Sequence, residues 1–357
     1  MGSRIAFLNL DGVNVTPYFQ YYRDLISEPY DYIYWGRSDC GSEPDASNVY
    51  RYDSPVDPGA SRYLQLLHGY LGFQRYASKL LSNNRYHRVV ALTGNTATLL
   101  GPVLCRCYKN RYIIDIRDYF LENNPIYRAV EERVIENSGL AIISSPAYTN
   151  FLGEHDFVVM HNSQHISSHE RAEVQNRVRP GDPFVLLSVG TCKNPENDKA
   201  VIRYFANDSR FLLRFIGRGY SVLESFIADC GISNVELVDE FPSELTLDFY
   251  KQADAVLSMY GSEKTHFKYQ LTNKLYYSAQ LELPIIVSPD TYMAEIVDRY
   301  GLGIVLDFAD ATQKDNILHL YDSDRRIAMV DGMRRFMSMA SEQNAKALDA
   351  VKSFLSI

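Results

Sequence analysis

Three basic residues in the second half of the chain follow apolar runs, two of them directly and the third further on. Lys193 lies in "SVGTCKN" (188–194), Arg218 in "FIGRGY" (215–220), and Lys274 in "TNKLYYSAQLELPIIVS" (272–288). Lys274 opens a helical pattern. The amino end of a helix already carries free N–H groups and partial positive charge, so a cation placed there calls for an anion. On that helix Leu275 and Ala279 share an apolar face, whereas Asn273, Lys274 and Tyr277 group on the other side. Gly190 and Thr191 precede Lys193 on the same turn. Three cations at three strand ends make a clamp suited to a phosphate or diphosphate. Singly, each has a plainer reading: a lysine at a helix start is commonly solvated, and Gly-Arg-Gly suits a tight turn without binding anything.

These residues need a scaffold that brings strand ends together. Strand-like runs alternate with helical stretches: 4–10, 31–35, 88–94, 111–118, 140–145 and 157–161 in the first half, and 184–190, 211–217, 234–239, 255–261, 284–288 and 303–307 in the second. Helices are expected over 62–81 and 124–137. This alternation predicts an α/β chain with two Rossmann-like, doubly wound parallel sheets facing a shared cleft at their strand carboxyl ends. The polar stretch ending in "RVRPGDP" marks the division. It gives a first domain over 1–165, a linker over 166–183 and a second domain over 184–357.

Composition narrows the function. A chain of 357 residues is long enough for two cores, and 46% hydrophobic with 22% charged residues is ordinary for a globular protein. The net charge of −8 argues against a nucleic-acid partner, which would require a basic surface. Five cysteines, of which only Cys105 and Cys107 are close in sequence, give neither a disulfide framework nor a zinc site, and fit a reducing cytoplasm. No signal-peptide-like core and no run of 18 apolar residues is found. His161, His165 and His169 recur every four residues, with His155 nearby, but no cysteine or acidic cluster completes a metal site. No metal and no cofactor is expected.

The ordered series "VGTCKN", "FIGRG", "NVELVDEFPSELTLDFYKQADAVLSMYG" and "TNKLYYSAQLELPIIVSPDTYMAEIVDRYGLGIVLD" resembles the nucleotide-binding domain of GT-B glycosyltransferases. More narrowly it is similar to the family 4-like enzymes that build bacterial capsular, lipopolysaccharide and other surface polysaccharides. The resemblance covers 184–307. "YIIDIRDYFLENNPIYRAVEERVIENSGLAIISSPAYTNFL" looks like the family's acceptor domain, less distinctively. The resemblance implies that Lys193 and Arg218 sit near the donor diphosphate, and that Asn273 and Lys274 match the family's Asn-Lys pair. It also implies that the loop 239–242, with Glu240 and Phe241, holds the base. Two departures stand out. Tyr277 replaces the usual ribose-binding acid, and Glu282 stands where glycine is common. Glu263 is a distant substitute carboxylate, or simply part of a polar loop.

In the first half, "NLDGVNVTPY" puts Gly12 after the first strand, either as a phosphate- or sugar-approaching turn or as a turn alone. "IDIRDYF" ends a strand with Asp115, Arg117 and Asp118. The resemblance makes Arg117 and Asp118 acceptor contacts, with an internal Asp–Arg pair as the alternative, and leaves His161 near the cleft. The stretch 62–81, with Arg75 and Lys79 on its margins, suits either peripheral contact with an anionic membrane or a core-packed helix. The function expected is a cytoplasmic glycosyltransferase of hexosyltransferase type. It would move a sugar from a nucleotide-sugar to a glycan or lipid-linked acceptor, with retention and without metal. A nucleotide-sugar 2-epimerase and a non-catalytic sugar-binding subunit are the alternatives. The sequence fixes neither the sugar nor the oligomeric state.

Overall fold

Strands of a parallel sheet covered by helices on both faces are apolar on both sides, and the central strands here are buried at every position. The computed structural model describes residues 5–12, 16, 18–36, 45–55, 59, 61–163, 166–175, 180 and 182–356. His165 and most of "RVRPGDP" lie outside the described residues, as do residues 13–15 of the first glycine loop.

The chain divides into two compact units, Met1–His161 with Glu342–Ile357, and Asn162–Ser341. The first holds β1 (Ile5–Asn9), β2 (Tyr30–Trp35), β3 (Asn48–Tyr52), β4 (Arg88–Ala91), β5 (Tyr112–Ile116), β6 (Leu140–Ile143) and β7 (Phe157–Val159). They form one sheet in the order β3-β2-β1-β4-β5-β6-β7, and every pairing is parallel, with Ile5 opposite both Tyr30 and Arg88. The second unit holds β8 (Phe184–Val189), β9 (Phe211–Ile216), β10 (Val235–Val238), β11 (Ala255–Ser258), β12 (Ile285–Val287) and β13 (Gly303–Val305). Its order is β10-β9-β8-β11-β12-β13, again parallel throughout. Each sheet is doubly wound. Its strand order reverses at the first strand of the unit, between β1 and β4 and between β8 and β11, and such switch points are where these sheets bind ligands.

Sequence periodicity places twelve of these strands. It misses β3, an edge strand whose side chains are only half-buried. The helix Arg62–Asn84 is capped by Ser61, whose hydroxyl accepts from the Leu64 N–H. Phe73, Ala77 and Leu81 anchor its second half in the core, whereas Tyr63, Leu64, Leu66, Leu67 and Leu71 of its first half are exposed. The last helix, Ser323–Leu355, serves both cores. Met329, Met333, Phe336 and Ala340 join the second core; Ala347, Val351 and Leu355 join the first. The reading from sequence assigned all of 184–357 to the second domain; by proximity, residues from Glu342 onward group with the first. Among the described residues no helix is long and apolar enough to cross a membrane.

Candidate functional site

The second unit's switch point is built from two glycine turns in contact. After β8 the chain turns at Gly190 with φ 122°, and after β9 at Gly217 with φ 126°, a region open chiefly to glycine. A Cβ on Gly217 would lie 2.2 Å from the Gly190 carbonyl oxygen, so the two backbones approach as closely as they do only because Gly217 carries no side chain. The Cys192 N–H donates to the Arg218 carbonyl at 3.0 Å and locks the turns together. The helix Pro195–Phe205 starts directly after this loop. Asn194 and Asn197 donate to the carbonyls of Tyr260 and Met259 at 2.7 and 2.8 Å, which ties the loop to the end of β11.

The three cations occupy different environments. Lys193 and Thr191 are exposed on the first turn. Arg218 is 77% exposed and paired with Glu240 at 3.3 Å. Both cations are open to an incoming anion. Lys274 is only 5% exposed. Its Nζ donates to Ser188 Oγ at 2.8 Å, at the carboxyl end of β8, and lies 4.9 Å from the centre of the Tyr260 ring. The Tyr220 hydroxyl stands 3.0 Å from the same Ser188 oxygen. A buried ammonium needs such company. Instead of grouping with Asn273 and Tyr277 on a ligand-facing side, Lys274 turns inward beneath an exposed Asn273.

Asp198 was not anticipated from sequence. It sits buried in the first turn of Pro195–Phe205 and accepts from the Cys192 thiol at 3.3 Å. Burial raises its carboxyl to about 6, opposed by the nearby Lys274 charge and by the thiol hydrogen bond. The same burial, with the Asp198 charge adding to it, pushes the Cys192 thiol up to about 12, so this cysteine is a poor nucleophile.

Where the resemblance calls for a ribose-binding acid, Tyr277 is half-buried and stacked on Tyr250, with ring centres 4.9 Å apart and planes 19° from parallel. Burial raises its hydroxyl pKa, with the Glu170 charge adding to the effect. Glu170 is engaged in a capping box with Ser167: its carboxylate accepts from the Ser167 N–H at 2.8 Å, and the Ser167 hydroxyl accepts from the Glu170 N–H at 3.2 Å. Phe241 packs edge-on against Phe249, and Glu263 is exposed beside Gly261.

In the first unit, a cleft of about 210 Å³ opens at the carboxyl ends of β1, β4 and β5. It is lined by Asn9, Asp11, Thr93, Asn95, Asp118 and Phe120, among others, a polar set with two carboxylates. Of the residues expected here, only Asp118 reaches it. Gly12 is buried beside it, its carbonyl 3.4 Å from the Thr16 hydroxyl. Arg117 is 4% exposed and bound twice by Asp115, at 2.6 and 2.8 Å, while it donates to the Met160 carbonyl at 2.8 Å and lies over the Tyr18 ring. The internal Asp–Arg pair is therefore what this segment contains, and Arg117 braces the strand end from within. His161 is also buried. Its Nε2 is 2.7 Å from Gln343 Oε1 and its N–H donates to Asn344 at 2.6 Å; desolvation lowers its pKa, offset in part by Gln343. Asn9, Thr93 and Asn95 could have been found by the rule used for the second half, because each sits at or just after a strand end.

Among the described residues no group of three or more His, Cys, Asp or Glu side chains could hold a metal ion. A scan against models of protein families finds no match. No curated protein matches by sequence either. Solved structures do match. The chain is similar to the lipopolysaccharide-biosynthesis glycosyltransferase WaaG, with 15% identity and a TM-score of 0.63 over 97% of this chain and 99% of that one. It is similar to sucrose-phosphate synthase of Thermosynechococcus elongatus, with 14% identity and a TM-score of 0.69 over 99% and 97%. It is also similar to HepE of Anabaena in complex with UDP and glucose, with 13% identity and a TM-score of 0.67 over 99% and 100%. Identities this low speak for architecture. With its parallel sheets of seven and six strands, the chain has the α/β fold of GT-B glycosyltransferases.

Proposed function

We propose that the protein is a glycosyltransferase, of hexosyltransferase type, that moves a sugar from a nucleotide-sugar to a hydroxyl of a glycan or lipid-linked acceptor. The observation that carries this reading is the pair of interlocked glycine turns after β8 and β9, with Lys193 and Arg218 exposed on them, in a chain whose structural relatives include a protein solved with UDP and glucose. Narrow turns let a diphosphate approach the backbone, and the two cations together with the N–H groups that open Pro195–Phe205 would hold its charge. In the step itself the acceptor oxygen bonds to the anomeric carbon and the bond from that carbon to the diphosphate breaks. The acceptor's hydroxyl proton passes to the departing phosphate oxygen, which would keep the anomeric configuration. Lys274, through Ser188, would position the end of β8 rather than touch the phosphate. Asp118 and Asp11, which line the cleft of the first unit, would receive hydroxyls of the acceptor. Surface polysaccharide synthesis, in the cytoplasm or at its membrane face, is the setting that this chemistry suits.

Because two side-chain cations take the part of a divalent ion, turnover should survive EDTA; a full loss restored by added metal would refute that part. Donor consumption decides between the readings. A transferase consumes UDP-glucose or another nucleotide-sugar only when acceptor is present, whereas an epimerase converts the donor alone. Tyr277 in place of a ribose-binding carboxylate favours a third outcome, a sugar-binding subunit that turns over neither. Screening nucleotide-sugars with a glycan acceptor panel and following nucleoside diphosphate release separates the three.

A further inference from the structure

We propose that one face of the first unit docks on an anionic phospholipid bilayer, centred on a groove between the helices Gly101–Cys107 and Pro125–Glu136. The sequence sets up the stripe. In "PIYRAVEERVIE" the spacing places Ile126, Ala129, Val130 and Arg133 on one side of the helix, while Glu131, Val134 and Ile135 are buried. Ile126 is 75% exposed and Val130 37%, an unusual cost for β-branched aliphatic side chains in water. With Pro102 and Arg106 of the facing helix they line a groove of about 900 Å³ whose walls carry no carboxylate. Neither Arg106 nor Arg133 makes a side-chain hydrogen bond or ion pair among the described residues. Glu132 and Glu136 border this stripe, Glu136 one turn beyond Arg133, but neither carboxylate lines the groove.

The surface continues beyond the groove. The helix Arg62–Asn84 touches Gly101–Cys107, which in turn touches Pro125–Glu136, so the three form one layer. Their crossovers β3→β4, β4→β5 and β5→β6 all run in the same direction across the sheet, and right-handed connections then fall on the same face. On Arg62–Asn84 the exposed Leu67 and Leu71 lead by steps of four to Arg75 and Lys79, which are exposed and unpaired among the described residues. Exposed aliphatic side chains interleaved with unpaired cations match an amphiphile with an anionic head group, the composition of a membrane interface. The chain as a whole carries −8, so such a surface would be repelled unless cations were gathered locally. This inference extends the lipid-linked acceptor considered above, but its test contains no donor. Failure here leaves the transferase reading intact, and failure of transfer leaves docking intact.

The full chain is sedimented with phosphatidylcholine vesicles that contain or lack phosphatidylglycerol. Binding should require the anionic lipid and weaken with salt. The double substitution Arg106→Gln with Arg133→Gln should lower partitioning by about 25-fold, about fivefold per guanidinium. Ile126→Ser should lower it as well, and Arg106→Lys with Arg133→Lys should retain most of it. Thermal unfolding guards against misfolded variants. Hydrogen exchange of the wild type, with Pro125–Glu136 protected only on anionic vesicles, gives the same answer without mutation. The proposal is overturned by equal binding to neutral vesicles, by no binding, by unchanged binding of the glutamine pair, or by a dimer that Ile126→Ser dissociates.

Discussion

Three cations that look equivalent in the sequence sit in different environments once burial is known. Lys193 and Arg218 are exposed on adjoining glycine turns, so each can contribute a charge-assisted bond to a diphosphate. Replacing either by alanine should weaken nucleoside diphosphate binding by about one to two orders of magnitude and leave free nucleoside binding unchanged, as read by calorimetric titration. Lys274→Ala should behave otherwise. It strips the Ser188 hydroxyl of its buried donor and empties the space beside Tyr260, so the fold should lose on the order of 1–3 kcal/mol. Both ligands should then suffer together, as far as the end of β8 shifts. If Lys274→Ala spares the melting temperature and weakens only the phosphate-bearing ligand, the ammonium is a phosphate contact after all. Its inward turn was beyond the reach of periodicity, because its partner Ser188 stands 86 residues away. The same holds for His161, whose partner Gln343 is 182 residues away.

At the scale of elements, sequence was most informative where one physical rule acts alone. Fully buried parallel strands are mostly apolar on both faces, and β1, β2 and β5 read that way apart from Asn9, Asp31 and Asp115. β3, "NVYRY", is an edge strand with both faces half-buried, so its mixed polarity hides it. The glycines after β8 and β9 were legible as turns, but not their mutual contact. Gly217→Ala would force a Cβ to within 2.2 Å of the Gly190 carbonyl at φ 126°, and should displace both turns at once. The expected outcome is loss of nucleotide affinity together with a lowered melting temperature; an alanine tolerated on both counts would show that the turns do not need their close approach. The helix Pro125–Glu136 makes a pH prediction. Burial, with the charge of Glu122 adding to it, pushes the Glu131 carboxyl from an ordinary value near 4.5 up to about 8. The folded chain therefore keeps a proton that the unfolded chain releases, and stability falls as pH climbs from about 4.5 through 8. Glu131→Gln removes the penalty. Denaturant midpoints for the variant and the parent should be close at pH 4 and diverge in favour of the variant at pH 9.

On the scale of the whole molecule, the two-sheet plan follows from the alternation of strands and helices, but the sharing of the last helix between two cores does not. Ser323–Leu355 reads as one uninterrupted amphipathic run, and nothing in its pattern says that Met333 and Phe336 serve one core and Val351 and Leu355 another. Two further ties bind its end to the first unit: Gln343 and Asn344 hold His161, and the Phe354 carbonyl accepts from Arg88 Nε at 2.7 Å. Removing residues 342–357 would take the buried Val351 and Leu355 out of this core, each contributing roughly 1.5–3 kcal/mol, and would break the His161–Gln343 contact. The first unit should lose several kcal/mol in consequence, a large share of what a domain of this size holds. The chain reports on itself, because its single tryptophan, Trp35, is buried in the first unit against Phe73. Tryptophan fluorescence during urea unfolding should therefore move to a clearly lower midpoint in the truncated chain, with loss of the first unit before the far-ultraviolet circular dichroism of the remainder falls. A midpoint that stays put would mean that the first sheet is stable without its returning helix.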